Sequence, residues 1–239
     1  MKNLDTIVAD IRRRIIADAD PLRAEGERRY FKDTIRNRGL SVPTCQTLAR
    51  TVYRERRTDL TQDGWFALAE KLLASGWHEE GTVGLEVVRR AKPEPSVELF
   101  DLYERWLDMY VGNWAHCDEL CTHMIGDVIT ARPSLVRRLK PWTKSGNRWL
   151  RRGAAVSLVT PARRGNFLLE SLAICKALVA DEDDLVQKGF GWLLKEAAKQ
   201  HRPEVAAFLE QNVRKMPRTA FRYAIELFPP TERKRLMAL

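Results

Sequence analysis

Apolar residues recur three and four positions apart along almost the whole chain, and no stretch of useful length alternates with the period of two that a half-buried strand requires. The pattern predicts an all-α protein. Breakers and capping residues divide it into about a dozen short helices. Starts or stops are expected at Asp20-Pro21, Val42-Pro43, Thr61, Pro93 to Pro95, Arg132-Pro133, Ser145, Asp181, Arg202-Pro203, Met216-Pro217 and Pro229-Pro230. The connections are short, so successive helices should pack as antiparallel neighbours.

Many short helices with short loops suggest an internal repeat, and a weak one is present. EEGTVGLEVV, WLRRGAAVSLV and LVQKGFGWLL each place small residues between a polar residue and an apolar run, as a tightly stacked inner helix does. Taking Gly81, Cys117, Arg151 and Gln187 as equivalent gives a unit of about 35 residues, the size of a helix pair of the HEAT or TPR kind. One residue further on lie Asp118, Arg152 and Lys188, and a turn away lie Trp114, Trp149 and Trp192. The register therefore gathers three tryptophans, one carboxylate and two cations on one face of a curved solenoid. Taken singly, each tryptophan is more often core and each charge more often solvated; their coincidence in one register favours a site.

Composition narrows the class. Hydrophobic residues make up 44% and charged residues 31%, with 13 Gly and 11 Pro, which is globular rather than disordered. The length suits a single domain over 1–239. The net charge of +9 and pI near 9.6 give a field that attracts polyanions. No run is long and apolar enough for a membrane span, and the first residues carry acids and arginines where a leader needs an apolar run, so a cytoplasmic protein without a membrane partner is expected. Four cysteines are read as reduced thiols. His116, Cys117, Cys121 and His123 are close in sequence but do not converge on a helix, so no metal is expected, and no cofactor is implied.

The charge is also uneven. From Arg132 to Arg164 the chain holds ten cations and no Asp or Glu. Such a one-sign block beside tryptophans is the footprint of phosphate binding. Arg148, Arg151, Arg152, Lys188 and Trp149 are the candidate DNA contacts, and the helix start at Ser145, Gly146 and Asn147 offers backbone N–H groups to a phosphate. Zinc-finger, basic-zipper, RRM and KH patterns are missing, and so are a P-loop and an acidic cluster for two metal ions. These absences disfavour base-sequence readout and nuclease chemistry.

Across NWAHCDELCTHMIGD, NRWLRRGAAV and LVQKGFGWLLKEAAK, and more weakly in RRYFKDTIRNRGLSVP, the chain resembles the AlkD-like DNA alkylation repair glycosylases, which are built of HEAT-like repeats. The resemblance implies a lesion site at Trp114, Asp118 and Trp192, a DNA-backbone contact at Arg152 and an aromatic near the duplex at Tyr30. It implies a monomer acting on duplex DNA that carries alkylated bases. Two positions depart from the family pattern: Asn113 stands where a second Trp is common, and Ser41 where a Gln is. A catalytically silent module binding bent or branched DNA is the alternative from another class, and a protein-interaction scaffold is a third reading that the acid-free basic block disfavours.

Overall fold

A computed structural model describes residues 4–31 and 34–239; Lys32 and Asp33, within the N-terminal stretch of resemblance, lie outside the described residues, as do Met1 to Asn3. The described residues form helices and no β-sheet, and a β-bridge joins Arg36 to Trp77. No helix among them is long and apolar enough to cross a membrane.

The chain forms two compact units. The first takes in the described residues of Met1–Glu94 together with Glu104–His116. It holds α1 (Leu4–Ala17), α2 (Pro21–Tyr30), α3 (Val42–Arg56), α4 (Gln62–Leu73) and α5 (His78–Ala91), followed by the end of α6 (Val97–Met109) and the start of α7 (Trp114–Leu120). The starts of α2, α3 and α4 follow side-chain caps. Asp20 accepts from the N–H groups of Leu22 and Arg23, Ser41 from Thr44 and Thr61 from Gly64, each satisfying donors that a helix start leaves over. Helix α5 packs against both α3 and α4, and Gly84 is what lets α4 approach, since a Cβ there would lie 3.1 Å from the Ala69 carbonyl oxygen.

The second unit comprises Pro95–Tyr103 and Cys117–Leu239. After a π-helical turn at Cys121–Ile125 come α8 (Gly126–Ala131), a 3-10 turn at Pro133–Arg138, and α9 (Leu139–Trp142). Then follow α10 (Arg148–Val156), α11 (Val159–Arg163), α12 (Leu168–Ala177), α13 (Asp184–Ala197), α14 (Arg202–Asn212), α15 (Arg218–Ala224) and α16 (Pro230–Met237). Helix α13 lies at its centre, packed on α10, on α15 and on its own partner α12.

Helices beginning at Val42, His78, Trp114, Arg148, Asp184 and Arg218 recur about every 35 residues, the period of a helix-pair repeat. Gly81, Cys117, Arg151 and Gln187 are each the fourth residue of such a helix. Two expected starts are displaced. Ser145 and Asp181 each accept the N–H two residues on, and the caps themselves are Asn147 and Asp183. A short polar side chain two residues ahead of a cap closes a local turn and so imitates the cap in sequence.

Candidate active site

The residues expected at the site fall into two groups, one in each unit. In the first unit Trp114 opens α7, preceded by Asn113, which caps the helix: its Oδ1 accepts from the His116 N–H at 3.0 Å. The Asn113 amide also donates to His116 Nδ1 at 3.2 Å, which leaves Nε2 to donate to the His78 carbonyl oxygen at 2.9 Å. His116 is buried against Gly81, where a Cβ would come within 2.5 Å of its ring. The rings of His78 and His116 stack at 4.8 Å, and burial holds both imidazoles neutral, His116 down at about 3.

Phe31 stacks on the Trp114 ring at 5.2 Å and meets His78 edge-on at 5.4 Å, while Tyr30, 72% exposed, meets Trp114 edge-on at 5.8 Å. Tyr30 and Trp114, singled out in sequence, are thus brought together. Phe31, Asn113 and His78 complete the group, and sequence reasoning missed their part in it. The available signals were the adjacency of Phe31 to Tyr30 and an Asn three residues ahead of a His at a helix start.

In the second unit Asp118 faces Arg152 through two parallel bonds, Nε to Oδ1 at 2.8 Å and Nη2 to Oδ2 at 2.7 Å. The side chains are 18% and 7% exposed, and Arg152 Nη1 donates to the Leu185 carbonyl oxygen. Burial pushes the Asp118 carboxyl up from its usual range while Arg152 pulls it back down. Gly189 of α13 makes room for the arginine, since a Cβ there would lie 3.2 Å from Arg152 Cγ. The π-helical turn begins three residues after Asp118, and the Thr122 hydroxyl bonds the Asp118 carbonyl oxygen at 2.6 Å. Such widened turns interrupt helices most often near functional positions. Trp192 is half-buried on α13, and Lys188 lies 3.4 Å from Asp184.

Several expected DNA contacts are engaged elsewhere. Arg152, expected at a phosphate, is turned inward to Asp118. Arg148 pairs with Asp183 and Arg151 with Asp181, acids supplied from beyond the basic block in sequence. Trp149 is buried, because it stands second in its helix where Trp114 stands first, about 100° further round, and Arg148 lies over its ring at 5.6 Å. At the start of α10 the N–H of Asn147 goes to the Ser145 hydroxyl and that of Trp149 to Asn147, so neither is left for an anion. His123 is exposed while His116 is buried, and Cys117 directs its thiol to the Trp149 carbonyl oxygen.

A family model described as DNA alkylation repair enzyme matches residues 11–228. The chain belongs to that family. Among solved structures it is similar to a predicted DNA alkylation repair enzyme from Enterococcus faecalis, at 17% identity over 89% of this chain and 97% of that one, with a TM-score of 0.76. That likeness establishes a shared helical fold. No curated protein matches the chain. Family membership makes DNA alkylation repair the setting in which Asp118, Arg152 and the aromatic group are to be understood.

Proposed function

We propose that the protein is a monofunctional DNA glycosylase that hydrolyses the N-glycosidic bond of N3- and N7-alkylated purines in duplex DNA and leaves an abasic site. The observation that carries this reading is the bidentate Asp118–Arg152 pair, a carboxylate held in one orientation and largely out of water.

Alkylation at N3 or N7 puts a positive charge on the purine, so the base departs without a general acid. What needs stabilising is the sugar, which becomes oxocarbenium-like as the bond breaks. A fixed carboxylate offsets that charge and orients water at C1′, and it interacts more strongly with the transition state than with the ground state. Arg152 acts here as a positioning residue. Its fork holds both oxygens, and its third contact, to the Leu185 carbonyl oxygen, ties the fork to α13. Trp192, in the same unit as Asp118, offers a ring face to a cationic nucleotide, a contact worth about 0.5–2 kcal/mol. No lysine is assigned a Schiff-base role, so the reaction ends at the abasic site.

The test is single-turnover excision of N7-methylguanine from a duplex by the wild type and by Asp118→Asn. The amide keeps the shape and loses the charge, so the rate is expected to fall about 10²–10³-fold with duplex binding retained. Uracil and hypoxanthine, uncharged bases, are expected to be poor substrates for both proteins. Equal excision by the two proteins would remove Asp118 from the mechanism. Binding without excision by either would favour a silent DNA-binding module, for which engagement of both carboxylate oxygens by Arg152 is the supporting feature.

A further inference from the structure

The segment between α2 and α3 carries two arginines, Arg36 and Arg38, and both lie over one indole. The Arg36 guanidinium carbon is 4.7 Å from the centre of the Trp77 ring and that of Arg38 is 3.8 Å from it. Two like charges gathered on one ring repel each other, and a carboxylate between them would be the usual relief. Among the described residues neither guanidinium forms an ion pair. Arg36 donates only to the Ser75 carbonyl oxygen at 3.3 Å, and Arg38 Nε is buried without a partner.

Glu79 lies two residues after Trp77; its Oε1 is taken up by the backbone N–H groups of Arg38, Gly39 and Leu40 at 2.7, 2.8 and 3.3 Å, and its Oε2 is buried without a partner. That contact fixes the backbone from which Arg38 projects. Pairing of the His78 N–H with the Arg36 carbonyl oxygen at 2.8 Å fixes the other arginine relative to Trp77. Beside Arg36 lies a cavity of about 150 Å³, lined also by Trp77, Tyr110 and Asn113 but not by Arg38, with room for a phosphate group on the Arg36 side of the indole. Two guanidinium groups against one indole, neither of them in an ion pair among the described residues, leave N–H donors free for an oxyanion that accepts several hydrogen bonds.

The geometry points to a phosphate-binding site made by Arg36, Arg38 and Trp77, outside the basic block of residues 132–164, whose occupant is a backbone phosphodiester of duplex DNA. This rests on the DNA-binding reading and is independent of base excision. A free phosphate ion offers the same chemistry, and the two sources are separable by experiment.

The first measurement is the affinity of full-length protein for an undamaged duplex between about 50 and 200 mM salt, for the wild type, R36Q/R38Q and R36K/R38K. Each lost phosphate contact lowers the slope of log affinity against log salt by about 0.9, so the Gln pair is expected to lower it by nearly 2. The Lys pair keeps the count of charges and is expected to keep most of the slope. The second measurement follows the Trp77 indole N–H by NMR as inorganic phosphate is added to the wild type and to R36Q/R38Q. A reduced slope in the Gln pair alone supports the duplex phosphodiester. An unchanged slope with a phosphate-induced shift seen only in the wild type overturns the duplex and assigns the site to a free anion. An unchanged slope with no shift overturns the site altogether, and so does an equal loss of slope in the Lys pair, which would trace the effect to folding. Because the duplex carries no lesion, failure of the glycosylase reading leaves these outcomes intact.

Discussion

Asp118 and Arg152 show how one side chain's value depends on another's shape. A lysine in place of Arg152 would keep the charge but offer a single point instead of a fork, so the carboxylate would lose its orientation rather than its partner. For Arg152→Lys, excision is expected to fall by up to about 10²-fold, the cost of misplacing a reacting group by about 1 Å. Affinity for undamaged duplex should stay within about twofold, since the guanidinium is buried against Asp118 rather than presented to phosphates. Parallel loss of excision and affinity would contradict that assignment. His116 makes a second residue-scale prediction. Its imidazole takes up a proton near 6.5 in the unfolded chain and only near 3 in the folded one, because burial disfavours the cation. The unfolded state therefore binds more protons as the pH falls, and stability present above 6.5 is lost progressively below it. By pH 5 the loss through this group is about 2 kcal/mol. Urea midpoints at pH 7.5 and 5 for the wild type and His116→Gln test this, and an equal drop in both proteins would exclude His116 as the cause.

At the scale of helices, small residues set how near neighbours come. Gly191 of α13 faces α15 so closely that a Cβ would lie 2.7 Å from the Ala220 carbonyl oxygen and 2.8 Å from Tyr223 Cβ. Backbone cannot swing aside as a flexible side chain can, so Gly191→Ala should cost about 1–3 kcal/mol. In a domain of this size that is a fall of about 2–4 °C in Tm per kcal/mol. An unchanged Tm would mean that α13 and α15 separate freely. Gly81 and Gly189 differ in kind, since each faces a side chain, His116 and Arg152 respectively, rather than a neighbouring backbone.

Over the whole molecule the net charge of +9 is spread less simply than the sequence suggests. Of the acid-free block, Arg138 pairs with Asp101, Arg148 with Asp183, Arg151 with Asp181, Arg152 with Asp118 and Arg163 with Glu196. Arg137, Lys140, Lys144 and Arg164 are exposed and form no ion pair among the described residues. Long-range attraction to a polyanion should therefore rest on these cations more than on the paired ones. Lys140→Gln with Lys144→Gln is expected to reduce the salt dependence of duplex binding by up to about 2 in slope, whereas Arg163→Gln should change it little. A larger effect at Arg163 would show that the ion pairs open on binding.

Periodicity along the chain was enough to determine the helical class, the repeat of about 35 residues and the equivalence of Gly81, Cys117, Arg151 and Gln187, because helix spacing is a local property written into apolar positions. The same register groups Trp114, Asp118, Arg152 and Trp192. Tertiary structure decided which of those side chains meet. Asp118 finds Arg152 only because a helix thirty-four residues away packs beside it, Phe31 reaches Trp114 from another helix pair, and Trp149 goes to the core by a rotation of one residue. The pairing of five of the block's ten cations was likewise invisible, since their partners Asp101, Asp118, Asp181, Asp183 and Glu196 are remote in sequence. Charge falls off with distance through space rather than along the chain, so only the packing of helices says which arginines remain open to a phosphate.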